Sequence, residues 1–209
     1  MRKLLIGMFL LFFHGFAAGG VYDEILDAAE RGDSAAVVGL LQRGMDVNTV
    51  DREGNTLLMI SARTENLELM KFLLANGAAI NRRNRFGDTA LLLAAIKGSV
   101  PGVDLLYKGG AQLEPGGWSA LHYSVFSESL ELLGWLVKNG VKLDARAPNG
   151  QTALMLAAKQ GRLAQVKQLV DADADMDLED FEGKSALSLA KAAGHDEIVS
   201  FLKASGAVE

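Results

Sequence analysis

The stretch Gly150-Gln151-Thr152-Ala153-Leu154-Met155-Leu156-Ala157-Ala158 decides the fold, because the chain repeats it. Related copies begin at four other glycines, which are Gly54, Gly87, Gly117 and Gly183. The five glycines follow one another at intervals of 33, 30, 33 and 33 residues. Self-similarity at a fixed period of this length predicts an array of stacked structural repeats.

Each copy predicts the same local structure. A Gly-x-Thr or Gly-x-Ser corner supplies a turn and then a hydroxyl that caps a helix N-terminus. The Ala-rich apolar run that follows, as in Thr89 to Ala95, predicts a short buried helix. A second helix is expected over stretches such as Leu67 to Leu74, because the apolar residues have helical periodicity and Asn76-Gly77 is a stop signal. The expected unit is therefore helix–turn–helix followed by an extended hairpin loop.

The pattern resembles the ankyrin repeat, whose signature is Thr-Pro-Leu-His-x-Ala at a 33-residue period. The resemblance extends from Val21 to Ala207 and includes the ending Gly77-Ala78-Ala79-Ile80-Asn81. The chain departs from the family where the proline is replaced by Leu57 or by alanine, and the histidine is kept only as His122. The resemblance implies an all-α solenoid of about six helix–turn–helix units, with hairpin loops that are called fingers below.

We predict a single ankyrin-repeat domain over residues 20–209. The chain has 209 residues, of which 49% are hydrophobic and 22% charged, which is enough for one core. The repeats are placed at about residues 20–51, 52–84, 85–114, 115–147, 148–180 and 181–209. The third repeat is three residues short, and the loss falls between Leu113 and Trp118.

Residues 1–18 predict a secretory signal peptide. The basic start Arg2-Lys3 is followed by an apolar run from Leu4 to Phe13 and by small residues up to Gly20, which is the order of a signal peptide. The run is short for a transmembrane helix. An uncleaved anchor or a buried N-terminal helix is the alternative. Because a chain without cysteine tolerates an oxidising compartment, we expect a bacterial periplasmic location.

Charge and residue content exclude several functional classes. The formal net charge is −5, and loss of residues 1–18 would remove two cations, which disfavours nucleic acid because phosphates need a basic face. The sequence has no nucleophile elbow, phosphate loop, HExxH motif or dinucleotide fingerprint. After signal removal only His122 and His195 remain, both at positions that the ankyrin resemblance makes structural. We therefore expect no enzyme activity and no cofactor.

An acidic stretch at the end of the fifth repeat has the ligand spacing of a calcium-binding loop. Residues 171–182 contain seven acids. Six of them match that spacing, namely Asp171, Asp173, Asp175, Asp177, Glu179 and Glu182. Met176, however, stands where such a loop needs glycine. We favour a solvated acidic loop and predict no metal site, with a calcium-responsive module as the weaker alternative.

Candidate binding residues lie where the ankyrin resemblance places partner contacts, at the finger tips and at the ends of the first helices. Three aromatic residues occupy such positions in adjacent repeats, Phe86, Trp118 and Phe126. Aromatic side chains dominate protein interfaces, although Trp118 could instead fold back over the shortened finger as packing. Three cations are expected to orient an acidic patch of the partner, Arg82, Arg83 and Arg85.

The sequence as a whole predicts a non-enzymatic, monomeric module that binds another exported protein through its concave face. We expect no membrane contact after signal cleavage. An immunity-type inhibitor or protective partner of an exported enzyme or toxin is the alternative. Ankyrin surfaces share a fold and differ in side chains, so the sequence does not name the partner.

Overall fold

The computed structural model describes residues 18–208, and its regular elements in that range are helices joined by turns and loops. Its twelve helices form six pairs. The first helices of the pairs are α1 (Ala18–Glu30), α3 (Leu57–Arg63), α5 (Ala90–Ile96), α7 (Ala120–Ser127), α9 (Ala153–Lys159) and α11 (Ala186–Ala193). The second helices are α2 (Ser34–Gln42), α4 (Leu67–Ala75), α6 (Val100–Lys108), α8 (Leu130–Lys138), α10 (Leu163–Asp171) and α12 (Asp196–Ala204). The predicted all-α solenoid of about six helix–turn–helix units is confirmed. The predicted signal peptide lies outside the described residues except for Ala18.

The helices are arranged in two layers. In the first layer α3 contacts α1 and α5, α7 contacts α5 and α9, and α9 contacts α11. In the second layer α6 contacts α4 and α8, and α10 contacts α8 and α12. The core between the layers is continuous from Ile25 in α1 to Leu202 in α12. Within residues 18–208, no helix has the length and apolar character needed to cross a bilayer.

The first helices are short and buried because a hydroxyl starts each one and small apolar residues follow. The side chains of Thr56, Thr89, Thr152 and Ser185 each accept a hydrogen bond from the third backbone N–H of the helix. All residues from Ala153 to Ala158 in α9 are buried. The Gly-x-Thr/Ser corner therefore acts as the sequence predicts, as a turn followed by a helix cap.

Two glutamates replace glycine after a first helix without changing the backbone. Glu65 and Glu128 have φ angles of 56° and 59°, in the left-handed region that glycine occupies at no steric cost. The equivalent Gly161 and Gly194 have φ angles of 76° and 74°. The helix packing on either side therefore imposes this turn even on residues that disfavour it.

A ladder of side-chain oxygens joins the loops of successive repeats. Each oxygen accepts a hydrogen bond from a backbone N–H of the next repeat, at distances between 2.6 and 3.0 Å. The accepting residues are Asn48, Asn81, Glu114, Asp144 and Asp177. Glu114 keeps this role in the shortened repeat, so the three residues are lost after it.

The fingers are tight turns of five residues rather than long hairpins. Fingers 1, 2, 4 and 5 span residues 51–55, 84–88, 147–151 and 180–184. In each, the first N–H donates to the fifth carbonyl at 2.9 to 3.0 Å. Strand pairing within the described range is limited to one isolated bridge, between Val50 and Thr56. Finger 3, residues 114–118 when counted back from its glycine, lacks this closing bond. Its first residue, Glu114, is also the ladder residue, which in the other repeats lies three positions before the finger.

Gly161 and Gly194 allow a matched test of how adjacent repeats fit together. A Cβ atom on Gly161 would lie 2.7 Å from Cε1 of His195, whereas one on Gly194 would meet nothing within 4 Å. We expect Gly194→Ala to cost about 1 kcal/mol, from the left-handed backbone alone. Gly161→Ala should cost roughly 1 kcal/mol more, because the His195 ring must leave its hydrogen bond with the carbonyl of Lys159. Urea unfolding of the two variants measures the difference, and equal losses would contradict it.

Candidate functional site

The fingers are joined side by side, and the first two show how. The backbone N–H of Arg85 donates to the carbonyl of Glu53 at 2.9 Å. The side-chain amide of Asn84 donates to Oδ1 of Asn55 at 2.8 Å. Fingers 1 and 2 thus form a continuous edge held by one backbone and one side-chain hydrogen bond.

Fingers 4 and 5 are joined in the equivalent way. The N–H of Phe181 donates to the carbonyl of Asn149 at 3.5 Å, and Nε2 of Gln151 donates to Oδ2 of Asp180 at 3.2 Å. Burial opposes ionisation of Asp180, but the N–H groups of Lys184 and Glu182 and the Gln151 amide donate to it and hold the pKa of this carboxyl below its usual value. The row of fingers is therefore tied at both ends of the molecule.

Finger 3 interrupts this row. Glu114 and Ala147 stand where fingers 2 and 5 have Asn84 and Asp180. Ala147 has no polar side chain, and the carboxylate of Glu114 accepts instead from the N–H of Lys142. The loss of three residues and the loss of these two cross-links coincide. The surface between finger 2 and finger 4 is consequently formed by side chains from α7 and from the end of finger 3.

An aromatic cluster occupies this interruption. Trp118 lies 5.8 Å from Phe126 and Tyr123 lies 6.4 Å from Phe126, measured between ring centroids. Trp118 is partly buried against the hydrophobic core, and its ring lies nearly perpendicular to that of His122 with the centroids 5.4 Å apart. The structure thus brings Trp118 and Phe126 together, and shows Trp118 packed on the core while part of its side chain stays accessible. We call Trp118, Tyr123 and Phe126 the aromatic cluster.

Tyr123 is the member of the cluster that the sequence did not single out. Its hydroxyl donates to Oδ1 of Asp88 on finger 2, across the interruption. Burial raises the pKa of this hydroxyl, and the bond to Asp88 raises it further. Tyr123 occupies the repeat position of Leu93 and Leu156, so the pattern alone indicates a core residue. Its place three residues before Phe126 on the same helix was the available signal.

Two further apolar side chains are exposed next to the cluster in the repeat pattern. Phe86, on finger 2, is 71% exposed, and Ile96 is 41% exposed. Ile96 and Phe126, itself 42% exposed, occupy equivalent positions at the ends of the adjacent helices α5 and α7. Large exposed apolar residues thus concentrate in the third and fourth repeats on the finger side.

The three arginines of the sequence prediction do not converge on one spot. Nη1 of Arg82 donates to the carbonyl of Asn48 in the first repeat, at 3.4 Å. Nη2 of Arg83 donates to the carbonyl of Gly116 in finger 3, also at 3.4 Å. Arg85 is on finger 2 itself. Only Arg83 and Arg85 therefore border the interruption.

His122 ties the cluster to finger 4. Its Nδ1 accepts from the N–H and the hydroxyl of Ser119, at 3.2 and 2.7 Å, so Nε2 carries the hydrogen and donates to the carbonyl of Gln151 at 3.0 Å. Desolvation by burial lowers the pKa of His122. Met59 and Met155 fill the same position in other repeats, and their sulfur atoms accept the equivalent N–H at 3.4 Å. The predicted structural role of His122 is consistent with these contacts.

Three of the seven acids of residues 171–182 accept hydrogen bonds from backbone N–H groups. Oδ1 of Asp177 accepts from the N–H of Val208, and Oδ1 of Asp175 accepts from that of Asp177. Asp180 holds finger 5 together through the N–H groups of Glu182 and Lys184. Between residues 18 and 208, no group of three or more acidic or histidine side chains is placed to hold a metal ion.

Comparison with known proteins supports the same architecture. A family model described as ankyrin repeats in three copies matches residues 25–115, 65–147 and 121–208. The nuclear factor NF-kappa-B p105 subunit of Gallus gallus is 34% identical over 160 residues, which are 73% of this chain and 16% of that protein. The chain thus spans about a sixth of the length of this relative.

Two solved structures are similar over most of the chain. The ankyrin repeat domain of human ASB11 superposes with a TM-score of 0.80 and 27% identity, covering 88% of this chain and 84% of that one. The ankyrin repeat domain of Bcl-3, a member of the IkappaB protein family, gives a TM-score of 0.77 and 27% identity, covering 88% and 86%.

The lowered pKa of His122 predicts a pH-dependent stability. The folded chain binds this proton less readily than the unfolded chain does, so its stability should be greatest above the unfolded pKa of about 6.5 and should fall as the pH drops through that value. His122→Met is the matched control, because methionine fills this position in two other repeats and does not titrate. We expect the unfolding free energy to fall less between pH 8 and pH 5 in the variant. Urea titrations at both pH values measure this, and equal falls would contradict the assignment.

Proposed function

Because the chain belongs to the ankyrin-repeat family, whose repeats bind other proteins, we propose that it recognises a protein partner through its fingers and first helices. This is the concave face of such solenoids. The fold is typically a non-catalytic scaffold, and the proposed mechanism is binding to a preformed surface without a covalent step. The observation that carries the proposal is the aromatic cluster, exposed where the row of fingers is interrupted.

The cluster has the composition of an interface centre. Aromatic side chains supply much of the binding energy at protein interfaces, and grouped exposed apolar residues mark interaction sites more reliably than isolated ones do. Phe126 is 42% exposed although it contacts both Trp118 and Tyr123. Phe86 and Ile96 extend the apolar character onto finger 2 and α5. We place the centre of the contact at Phe86, Trp118 and Phe126, with Tyr123 beside them.

Charge supports an orientation for the partner. Arg83 and Arg85 are exposed beside the interruption, and Arg82 lies next to them in sequence. These cations favour an acidic region of the partner, which they would attract at long range and align at contact. The acidic residues 171–182 lie two repeats away and would repel the same region. A partner with an acidic patch therefore has one preferred direction along the array.

We further propose that the mature protein acts in the periplasm, one chain to each partner. The apolar run of residues 4–13 supports export. Residues Gly20 to Glu24 are exposed in α1, and Ile25 is the first buried side chain of the described range. Cleavage after Ala17, Ala18 or Gly19 would therefore leave the core of the first repeat complete.

The test is an alanine scan of the interface centre. We expect Trp118→Ala and Phe126→Ala each to weaken partner binding by about 2 kcal/mol, roughly 30-fold, because both remove aromatic contact area. The partner is obtained by affinity capture from the exported fraction and identified by mass spectrometry, and its affinity is measured by calorimetry.

Phe181→Ala is the matched control, since Phe181 is 72% exposed on finger 5, and should change affinity less than about twofold. Full affinity in both cluster variants, with unaltered unfolding curves, would remove the proposed centre.

A further inference from the structure

The interruption leaves one backbone acceptor without its donor. In each intact junction, the second residue of a finger donates its N–H to the carbonyl of the third residue of the preceding finger, as Arg85 does to Glu53 and Phe181 to Asn149. Phe86 is the third residue of finger 2. Its carbonyl accepts no hydrogen bond from any residue in the range 18–208. The edge of finger 2 that faces finger 3 is therefore open.

Two prolines prevent this edge from being hydrogen-bonded, in addition to the loss of three residues. Counting back from Gly117, Pro115 takes the donor position of finger 3, and Pro148 takes the donor position of finger 4. Proline has no backbone N–H, so neither residue can make the junction that Arg85 and Phe181 make. The chain has three prolines, and two of them occupy the two donor positions on either side of the interruption.

Apolar side chains and one donor without a partner lie next to the open edge. Tyr123 of the aromatic cluster donates to Asp88 of finger 2 and contacts Phe126, and the indole N–H of Trp118 makes no hydrogen bond with the described residues. The site thus offers a carbonyl acceptor at Phe86, an N–H donor at Trp118 and the aromatic surface of Trp118 and Phe126. These three features are the complement of a peptide turn that carries an apolar side chain.

An unpaired cation next to this site can attract an acidic turn. Of the nearby carboxylates, Glu128 is paired with Arg162. Asp88 and Glu114 keep their negative charge and accept hydrogen bonds from Tyr123 and from the N–H of Lys142. The guanidinium of Arg85, in contrast, forms no ion pair within the described range. An incoming carboxylate would therefore find an unpaired cation on the rim.

We propose that the interruption is a docking slot in which a turn of the partner protein takes the place of the residues missing from finger 3. The turn carries acidic residues and one large apolar side chain. Its backbone N–H donates to the carbonyl of Phe86, its apolar side chain packs on Trp118 and Phe126, and its carboxylate pairs with Arg85. The inference rests on the proposed function and specifies the part of the partner that is recognised.

A defined peptide tests the slot without knowledge of the partner. The probe is a backbone-cyclised peptide that carries Asp-Phe-Glu-Gly, the sequence of finger 5 from Asp180 to Gly183. In a Trp135→Phe chain, the fluorescence of Trp118 reports binding. We expect saturable binding with a Kd on the order of 0.1 to 1 mM. Peptides with alanine for phenylalanine, or with lysine for both acids, should bind at least about tenfold more weakly, as should the parent peptide to an Arg85→Glu chain. No saturable change in the unaltered slot would overturn the inference.

The second test fills the slot with residues of the chain itself. Replacing Pro115-Gly116 with a copy of residues 49–53 lengthens finger 3 by three residues and restores the 33-residue interval. We expect the lengthened chain to remain folded, to shield Trp118 from acrylamide quenching and to lose peptide binding. If this chain, shown to be folded by circular dichroism, binds the natural partner and the peptide as tightly as the parent does, the slot is wrong while the proposed function stands. If Trp118→Ala and Phe126→Ala leave partner affinity intact, the proposed function itself fails.

Discussion

Each helix pair in this protein can bury its apolar face only against the pairs beside it, and the rest of the structure follows from that constraint. The core is one continuous layer from α1 to α12 with no interior of its own in any single repeat. Local energetics of this kind make a repeat array tolerant of change at any position that does not disturb a neighbour contact. The fingers are such positions, because they lie beside the helix layers rather than between them.

The shortened third finger shows this separation of roles. The loss of three residues leaves Ala120, Leu121 and Val125 of α7 fully buried, so the helix stack continues past it without a break. What changes is the edge of the array. Side chains that a complete finger would cover are exposed, and a row of hydrogen bonds that runs on either side stops. A deletion at a finger can therefore expose a binding surface while the helix core stays intact.

Polar contacts recur at fixed positions of the repeats, although the residue types at those positions differ. Met59, His122 and Met155 each accept from the backbone N–H three positions earlier in their own repeat. The ladder between loops uses asparagine twice, glutamate once and aspartate twice. Glutamate also takes up the left-handed turn that glycine makes after other first helices. The acidic stretch near the C-terminus belongs to this pattern, since Asp177 and Asp180 repeat the roles of Asn81 and Asn84.

The sequence by itself determined the period, the two helices of each unit, their hydroxyl caps, the structural place of His122 and the location of the shortened finger. These features are local or strictly periodic, so pattern and propensity are sufficient to predict them. It also placed Phe86, Trp118 and Phe126 at family contact positions. The tertiary structure alone decided that Tyr123 reaches Asp88, that Arg82 and Arg83 point to different neighbours, and that Asp177 accepts from the N–H of Val208. The physical reason is that these contacts join residues about 30 positions apart, and their directions depend on side-chain rotamers and on how adjacent repeats are stacked.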